Sequence, residues 1–179
     1  MSDSYKMTIA GCERELKKFA VSDSLDIAAF IIFGDVELTI KGCEELLKKV
    51  PEFDVVLTPE AKSIPIAYEM SRQSGKPYVI VRKGTKVYMS DPISVSVRSI
   101  TTAREQKLFL GQEDVEVIKG KRVLIVDDVI STGESLAAVR SLLAEAGAIE
   151  SAACSFLAEG DAADRTDIIY LEKLPLFFK

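Results

Sequence analysis

The sequence predicts an α/β protein in which a twisted parallel sheet is flanked by helices. Short, almost entirely apolar segments recur along the chain, as is typical of strands buried on both faces. Segments with apolar residues at helical spacing separate them, and this alternation implies right-handed βαβ crossovers. A chain of 179 residues is long enough for one domain with a substantial core.

The first half of the chain supplies two of the predicted buried strands. Its elements are a short strand at 6–10, a charged stretch at 13–18, an apolar run at 27–33, a helix at 39–50, a buried strand at 53–58, a helix at 63–74 and a buried strand at 76–82. Pro51 ends the first helix, and Gly75 ends the second, which tolerates Pro65 in its first turn.

The second half begins with two β-like segments around a polar centre, which indicates two strands joined by a mobile arm. The elements are strands at 93–97 and 108–110, a loop or turn at 112–121, a buried strand at 122–126, a helix from 135 and a buried strand at 151–157. Gly147 closes that helix. We therefore expect four buried parallel strands in the core.

Composition excludes several functional classes. The net charge of −5 argues against binding to nucleic acid or anionic membranes, which needs surplus Lys and Arg. The absence of His excludes a His general base and a Cys/His zinc site. Three widely spaced cysteines indicate reduced core residues. The longest apolar run is shorter than the about 18 residues that span a membrane, so we expect a soluble cytoplasmic protein.

Residues 123–135 (VLIVDDVISTGES) carry the chemistry. An apolar strand runs into Asp127 and Asp128, where ligand sites form in parallel sheets. A hydroxylic loop then opens a helix, whose N-terminal N–H groups form an anion site. Paired carboxylates suit sugar hydroxyls or Mg²⁺. A ligand with a phosphate on one side and a diol on the other is a ribose 5-phosphate.

This segment resembles the signature of the type I phosphoribosyltransferases, which bind 5-phosphoribosyl-1-pyrophosphate (PRPP). Glu134 departs from it, because the adenine enzymes usually carry Gly there. The resemblance implies that Asp127 and Asp128 hold the ribose hydroxyls and, directly or through water, Mg²⁺. It implies a 5′-phosphate site formed by Ser131, Thr132, Gly133, Glu134 and Ser135.

The resemblance covers about residues 27–160 and implies the domain organisation. We expect a single domain over residues 1–179, with a PRPP-binding core at about 50–158. A small hood is expected from residues 1–40 and 160–179, and a flexible β-arm over residues 99–107.

Two further segments resemble the pyrophosphate-binding parts of purine enzymes. Residues 60–63 match an acidic-small-basic turn, with Ser63 in place of the usual Gly. An Arg-Lys pair follows the second buried strand, as in the adenine and xanthine enzymes, and fixed cations suit a pyrophosphate. The implied pyrophosphate-binding residues are Glu60, Ala61, Lys62, Arg82 and Lys83.

The arm resembles the loop that folds over the reaction centre in this family. Arg104 and Lys107 are the candidates for reaching the pyrophosphate, and Glu105 is the candidate base for the purine. With Asp127 and Asp128 they form the predicted catalytic set.

The purine pocket is predicted to contain Phe33, stacked on the base, with Ile32 and Val129. Adenine enzymes carry a hydrophobic pair and Phe before Arg-Asp, and Gly34 replaces that Arg here. Hypoxanthine and guanine enzymes place an Asp where Ser131 lies, which argues against those bases. The apolar pocket favours adenine, whereas the arm is closer to the xanthine type.

We therefore expect a purine phosphoribosyltransferase that converts adenine and PRPP to AMP and pyrophosphate with Mg²⁺. A xanthine-type enzyme and a catalytically inactive PRPP-sensing regulator remain alternatives. Family members commonly pair, and the apolar runs at 27–33 and 174–178 predict a homodimer.

Overall fold

A computed structural model describes residues 4–97 and 106–179. Its elements in chain order are β1 (Ser4–Ile9), β2 (Cys12–Ser22), β3 (Leu25–Ala28), α1 (Val36–Leu47), β4 (Val55–Pro59), α2 (Ile64–Ser74), β5 (Tyr78–Val81), β6 (Ile93–Val97), β7 (Gln106–Leu110), α3 (Gln112–Ile118), β8 (Arg122–Ile130), α4 (Glu134–Glu145), β9 (Ile149–Glu159), a 3-10 helix (Gly160–Asp164), β10 (Ile169–Leu174) and β11 (Phe177–Phe178).

The core is a five-stranded sheet in the order β10-β9-β8-β4-β5, and all four neighbouring pairs are parallel. The predicted α/β fold with a parallel sheet and flanking helices is confirmed. One apolar core, on the side of α4, contains Ile125 and Leu142; the other, on the side of α1 and α2, contains Leu124 and Phe156. The strands are buried on both faces because each face is covered by one of these layers.

The two ends of the chain contribute to two different sheets. An antiparallel sheet in the order β1-β2-β3-β11 combines residues from both ends, but β10 pairs in parallel with β9 and so belongs to the core sheet. The sequence pattern missed β10 because it is an edge strand, half exposed and interrupted by Glu172 and Lys173.

Three local predictions are corrected. The expected loop at 112–121 contains α3, a short helix that buries Val115 and Ile118. Helix α1 starts at Val36 rather than at residue 39, because the Asp35 side chain accepts a hydrogen bond from the Leu38 N–H and caps it. The acidic pair lies within β8, which continues to Ile130, rather than after the strand.

The arm region starts and ends in paired strands, as expected. β6 and β7 form an antiparallel hairpin, and its Leu108 and Leu110 pack in the core beside α4. Among the described residues, no helix is both long and apolar enough to cross a bilayer.

Candidate active site at the carboxyl ends of β4 and β8

A polar cavity of about 200 Å³ lies at the carboxyl ends of β4 and β8. It brings together predicted residues from three separate parts of the chain, which are the turn after β4, the segment after β5 and the acidic motif with its loop, and Leu108 of the hairpin also lines it. The lining residues are Pro59, Glu60, Ala61, Lys62, Ser63, Lys83, Leu108, Asp127, Asp128, Val129 and Ser135.

Asp127 and Asp128 form the acidic side of this cavity. Oδ1 of Asp127 accepts a hydrogen bond of 2.9 Å from the N–H of Asp128. Burial, together with the neighbouring Asp128 charge, raises the pKa of the Asp127 carboxyl. Ionising both carboxylates is therefore costly unless a cation compensates them.

In the structure, the Lys62 ammonium forms an ion pair with the acidic residues, through Asp128. Its Nζ lies 2.9 Å from Oδ2 of Asp128, whose side chain is only 7% exposed. The acidic motif contains no Lys or Arg that could neutralise it locally, so the sequence around it does not reveal this partner. The folded chain supplies the charge from the turn after β4.

The donor set fits a hard divalent cation. Oδ2 of Asp128 is buried and receives no hydrogen bond from the described residues, although Lys62 is within ion-pair distance. Within residues 4–97 and 106–179, no group of three or more His, Cys, Asp or Glu side chains is placed to hold a metal ion. A site with only two carboxylates suits Mg²⁺, because this ion usually keeps several waters and takes its other ligands from substrate phosphates.

Ser63 is accommodated at the position where the sequence resemblance implies Gly. Its φ of −82° is ordinary for any L-residue, and its buried Oγ donates to the Pro59 carbonyl oxygen at 2.9 Å. Oγ1 of Thr58 lies 2.7 Å from that Oγ and 2.9 Å from the Val126 carbonyl oxygen. Thr58 therefore links the end of β4 to β8, and Ser63 lies against Thr58 and the end of β4. The Glu60–Ala61 peptide bond in this turn is cis.

The Glu60 carboxylate faces Arg82 and Lys83, the basic pair that follows β5. It accepts hydrogen bonds from the Lys83 N–H at 2.7 Å and from Nη1 of Arg82 at 3.2 Å. Burial disfavours the Glu60 carboxylate, but these bonds outweigh burial and lower its pKa. The Arg82 backbone also pairs with Phe109 of β7. In this geometry Glu60 orients the basic pair, and the backbone of Arg82 joins it to the hairpin.

The predicted phosphate loop ends in a glycine that the structure requires. Gly133 has a φ of +82°, a conformation that L side chains rarely adopt, and its carbonyl accepts the first helical bond of α4, from Ala137. Nη1 of Arg165 lies in the space that a Cβ would occupy at this position. Arg165 is held by Asp167 through bonds of 2.9 and 2.7 Å. The sequence carries no motif around Arg165 that would have indicated this contact.

The three predicted base-binding residues lie in different surroundings. Val129 lines the polar cavity, Phe33 is 53% exposed, and Ile32 is 1% exposed within the core. Ile32 also contributes to a separate, mainly apolar cavity of about 420 Å³ between α1 and α2. Asp35, two residues after Phe33, accepts hydrogen bonds of 2.6 and 2.8 Å from the Arg14 guanidinium.

The arm residues are only partly covered by the structure. Lys107 lies in β7, exposed and opposite Ser96. Arg104 and Glu105 lie outside the described residues.

Comparisons with known proteins identify the family. A family model described as phosphoribosyl transferase domain matches residues 34–173, so the chain belongs to that family. Among curated proteins, hypoxanthine/guanine phosphoribosyltransferase of Methanothrix thermoacetophila is 36% identical over 114 residues, 64% of this chain and 56% of that protein. The chain thus spans little more than half the length of this relative.

One further curated protein and one solved structure are also similar to this chain. The purine biosynthesis transcriptional repressor PurR of Bacillus subtilis is 35% identical over 94 residues, 52% of this chain and 32% of the repressor. The crystal structure of adenine phosphoribosyltransferase from Thermoanaerobacter pseudethanolicus matches with a TM-score of 0.74 and 22% identity, over 88% of this chain and 95% of that one. At this identity the likeness shows the fold alone.

Proposed function

We propose that the protein is a purine phosphoribosyltransferase that transfers the phosphoribosyl group of PRPP to adenine, giving AMP and pyrophosphate. The observation that carries the proposal is the convergence of Asp127, Asp128, Lys62 and Lys83 on one cavity beside the loop that begins α4. Carboxylates for ribose hydroxyls, cations for pyrophosphate and a helix N-terminus for a phosphate match the three parts of PRPP.

In the proposed reaction the bond from C1′ to pyrophosphate breaks and a bond from C1′ to a purine nitrogen forms. Positive charge develops on the ribose and negative charge on the leaving group, so catalysis consists mainly of positioning and charge stabilisation. Asp127 and Asp128 hold the 2′- and 3′-hydroxyls, and Lys62 and Lys83 stabilise the departing pyrophosphate. Mg²⁺, held by the two aspartates and the substrate, supplies Lewis acidity when bound.

The remaining predicted residues complete the proposed site. Ser131 to Ser135 bind the 5′-phosphate, largely through backbone N–H groups. Arg104 and Lys107 extend to the pyrophosphate, and Glu105 takes the proton from the purine. Glu60, Ala61 and Arg82 complete the pyrophosphate site, where the Glu60 carboxylate orients the Arg82 guanidinium and the Lys83 backbone.

Adenine is the preferred base in this proposal because the run that ends at Phe33 is apolar and lacks the amide and ammonium donors that would suit a dioxo purine. Between residues 25 and 40 there is neither Asn nor Lys. The xanthine type remains the alternative among enzymes. Curated relatives are named for hypoxanthine and guanine, whereas the resemblance of the sequence motif implies an Asp in place of Ser131 for those bases.

A PRPP-sensing regulator without transferase activity is the second candidate, favoured by the similarity to PurR. Both candidates require PRPP binding, so turnover distinguishes them. The experiment is incubation with PRPP, Mg²⁺ and adenine, xanthine, hypoxanthine or guanine, with nucleotide and pyrophosphate measured. Product with adenine supports the enzyme, whereas saturable PRPP binding without product for any base supports the regulator.

We also propose a homodimer in the cytoplasm. The apolar run before α1 supports pairing, because Ile31 and Phe33 are 57% and 53% exposed. In the C-terminal run Phe178 is 77% exposed and adds to this surface, whereas Leu174 is buried and Phe177 packs against Tyr5 with ring centroids 5.2 Å apart. Three buried, free cysteines are consistent with a reducing compartment. Sedimentation at micromolar concentration tests the dimer, and a monomer there would contradict it.

A further inference from the structure

The ion pair between Lys62 and Asp128 has a geometry that bears on cation binding. Nζ lies 2.9 Å from Oδ2, the buried oxygen that receives no hydrogen bond from the described residues. The Asp128 side chain is 7% exposed, whereas that of Lys62 is 47% exposed. The carboxylate is therefore fixed, and the ammonium is at the accessible end of a flexible stem.

We propose that Lys62 and a divalent cation compete for Oδ2 of Asp128, and that PRPP resolves the competition by giving the Lys62 ammonium a second partner. The inference deepens the proposed function and rests on it for the role of PRPP. The competition itself is a property of the protein and the cation alone.

The competition follows from charge and space. A cation bound to Oδ2 would lie within a few ångströms of the ammonium, and two positive charges at that separation repel in a partly desolvated cavity. One of them must leave. Lys62 is the mobile one, because a Lys ammonium is a point charge on four rotatable methylenes and a half-exposed ion pair is held weakly.

PRPP changes the balance because its pyrophosphate brings negative charge to the same cavity. Lys62 lies on the turn that the sequence resemblance assigns to pyrophosphate, so its ammonium can exchange Asp128 for a phosphate oxygen without leaving the cavity. The cation then has Asp128 and the phosphate oxygens as ligands. Lys62 thus couples cation binding to PRPP binding.

The test measures Mn²⁺ binding to the full chain without PRPP, by electron paramagnetic resonance of the free ion. The Lys62→Gln variant should bind Mn²⁺ about fivefold more tightly than wild type, as expected for losing one half-exposed ion pair. The matched control is Lys83→Gln, which removes one positive charge from the same cavity but leaves the Lys62 contact intact. It should change the Mn²⁺ affinity less than twofold.

Two more variants keep the result interpretable. Asp128→Asn should abolish the tight site, and Lys62→Arg, which retains the charge, should bind Mn²⁺ no better than wild type. Thermal unfolding establishes that each variant is folded. Equal Mn²⁺ affinity in wild type and folded Lys62→Gln, equal gains in the two glutamine variants, or tight binding that survives Asp128→Asn would overturn the inference.

The same variants separate this inference from the proposed function. If wild type makes no nucleotide but Lys62→Gln still binds Mn²⁺ more tightly than wild type, the transferase proposal is refuted and the competition between Lys62 and the cation stands. Adding PRPP should raise the Mn²⁺ affinity of wild type by a larger factor than that of Lys62→Gln, since the variant has no ammonium to displace. An equal or smaller factor in wild type would refute the coupling.

Discussion

Replacing Gly133 by Ala tests the loop that we assign to the 5′-phosphate. A φ of +82° costs an L-residue about 1–2 kcal/mol. The new Cβ would also meet Nη1 of Arg165, the end of a flexible side chain that can move only by weakening its ion pair with Asp167. That pair is partly exposed and contributes up to about 1 kcal/mol. We expect a total loss of about 2–3 kcal/mol in the free energy of unfolding.

Thermal unfolding measures this loss, and Gly75 provides the matched control. Gly75 has a φ of +69° and no atom within 4 Å of the place that a Cβ would take, so Gly75→Ala carries the conformational cost alone. For a chain of this size each kcal/mol lowers the unfolding midpoint by about 2–4 °C. We expect Gly133→Ala to lower the midpoint by about 2–4 °C more than Gly75→Ala does.

A double-mutant cycle with Arg165→Ala isolates the contact. If the guanidinium obstructs the Cβ, the double variant is less destabilised than the sum of the two single variants. Additivity within about 0.3 kcal/mol, or equal losses for the two glycine variants, would refute this account of the loop.

Three further outcomes are expected from other parts of the molecule. Adenine should be turned over at least about tenfold more efficiently than xanthine in competition kinetics, because an unsatisfied buried carbonyl costs about 1–3 kcal/mol; preference for xanthine would show that the pocket was misassigned. Ser63→Ala should lower the free energy of unfolding by about 1 kcal/mol in urea, because the Pro59 carbonyl loses its donor, and an unchanged value would contradict that role. Hydrogen bonds from Arg72 lower the pKa of Glu69, so its stabilising contribution is present above the unfolded-state pKa and is lost as the pH falls through the folded-state pKa. Glu69→Gln should therefore flatten the acid side of the stability profile, and an unchanged acid side would contradict it.

The sequence predicted the parts of the fold that depend on local pattern. The buried strands around Leu57 and Ile125 are short apolar runs, and Gly147 closes α4 with a φ of +69°. It missed β10, because an edge strand needs no continuous apolar run. It missed α3, because a helix with two buried residues has too little periodicity to recognise.

In the candidate site, too, the sequence predicted the local motifs and missed the contacts between distant residues. The acidic motif could be recognised from neighbouring residues, as could the helix that follows it. The ion pair of Lys62 with Asp128 and the bonds from Arg82 and Lys83 to Glu60 join residues far apart in the chain, so no local pattern contains them. The contact of Arg165 with Gly133 is likewise set by how the segment after β9 returns to α4.

The most direct measurement of the central claim is calorimetric titration of PRPP with Mg²⁺ into the wild-type chain and into the Asp127→Asn, Asp128→Asn double variant. The two aspartates are the groups assigned to the ribose hydroxyls and the cation, and asparagine keeps their size while removing their charge. We predict saturable PRPP binding to wild type and none to the double variant, with unfolding curves showing that both are folded. Equal PRPP affinity in the two proteins would contradict the assignment.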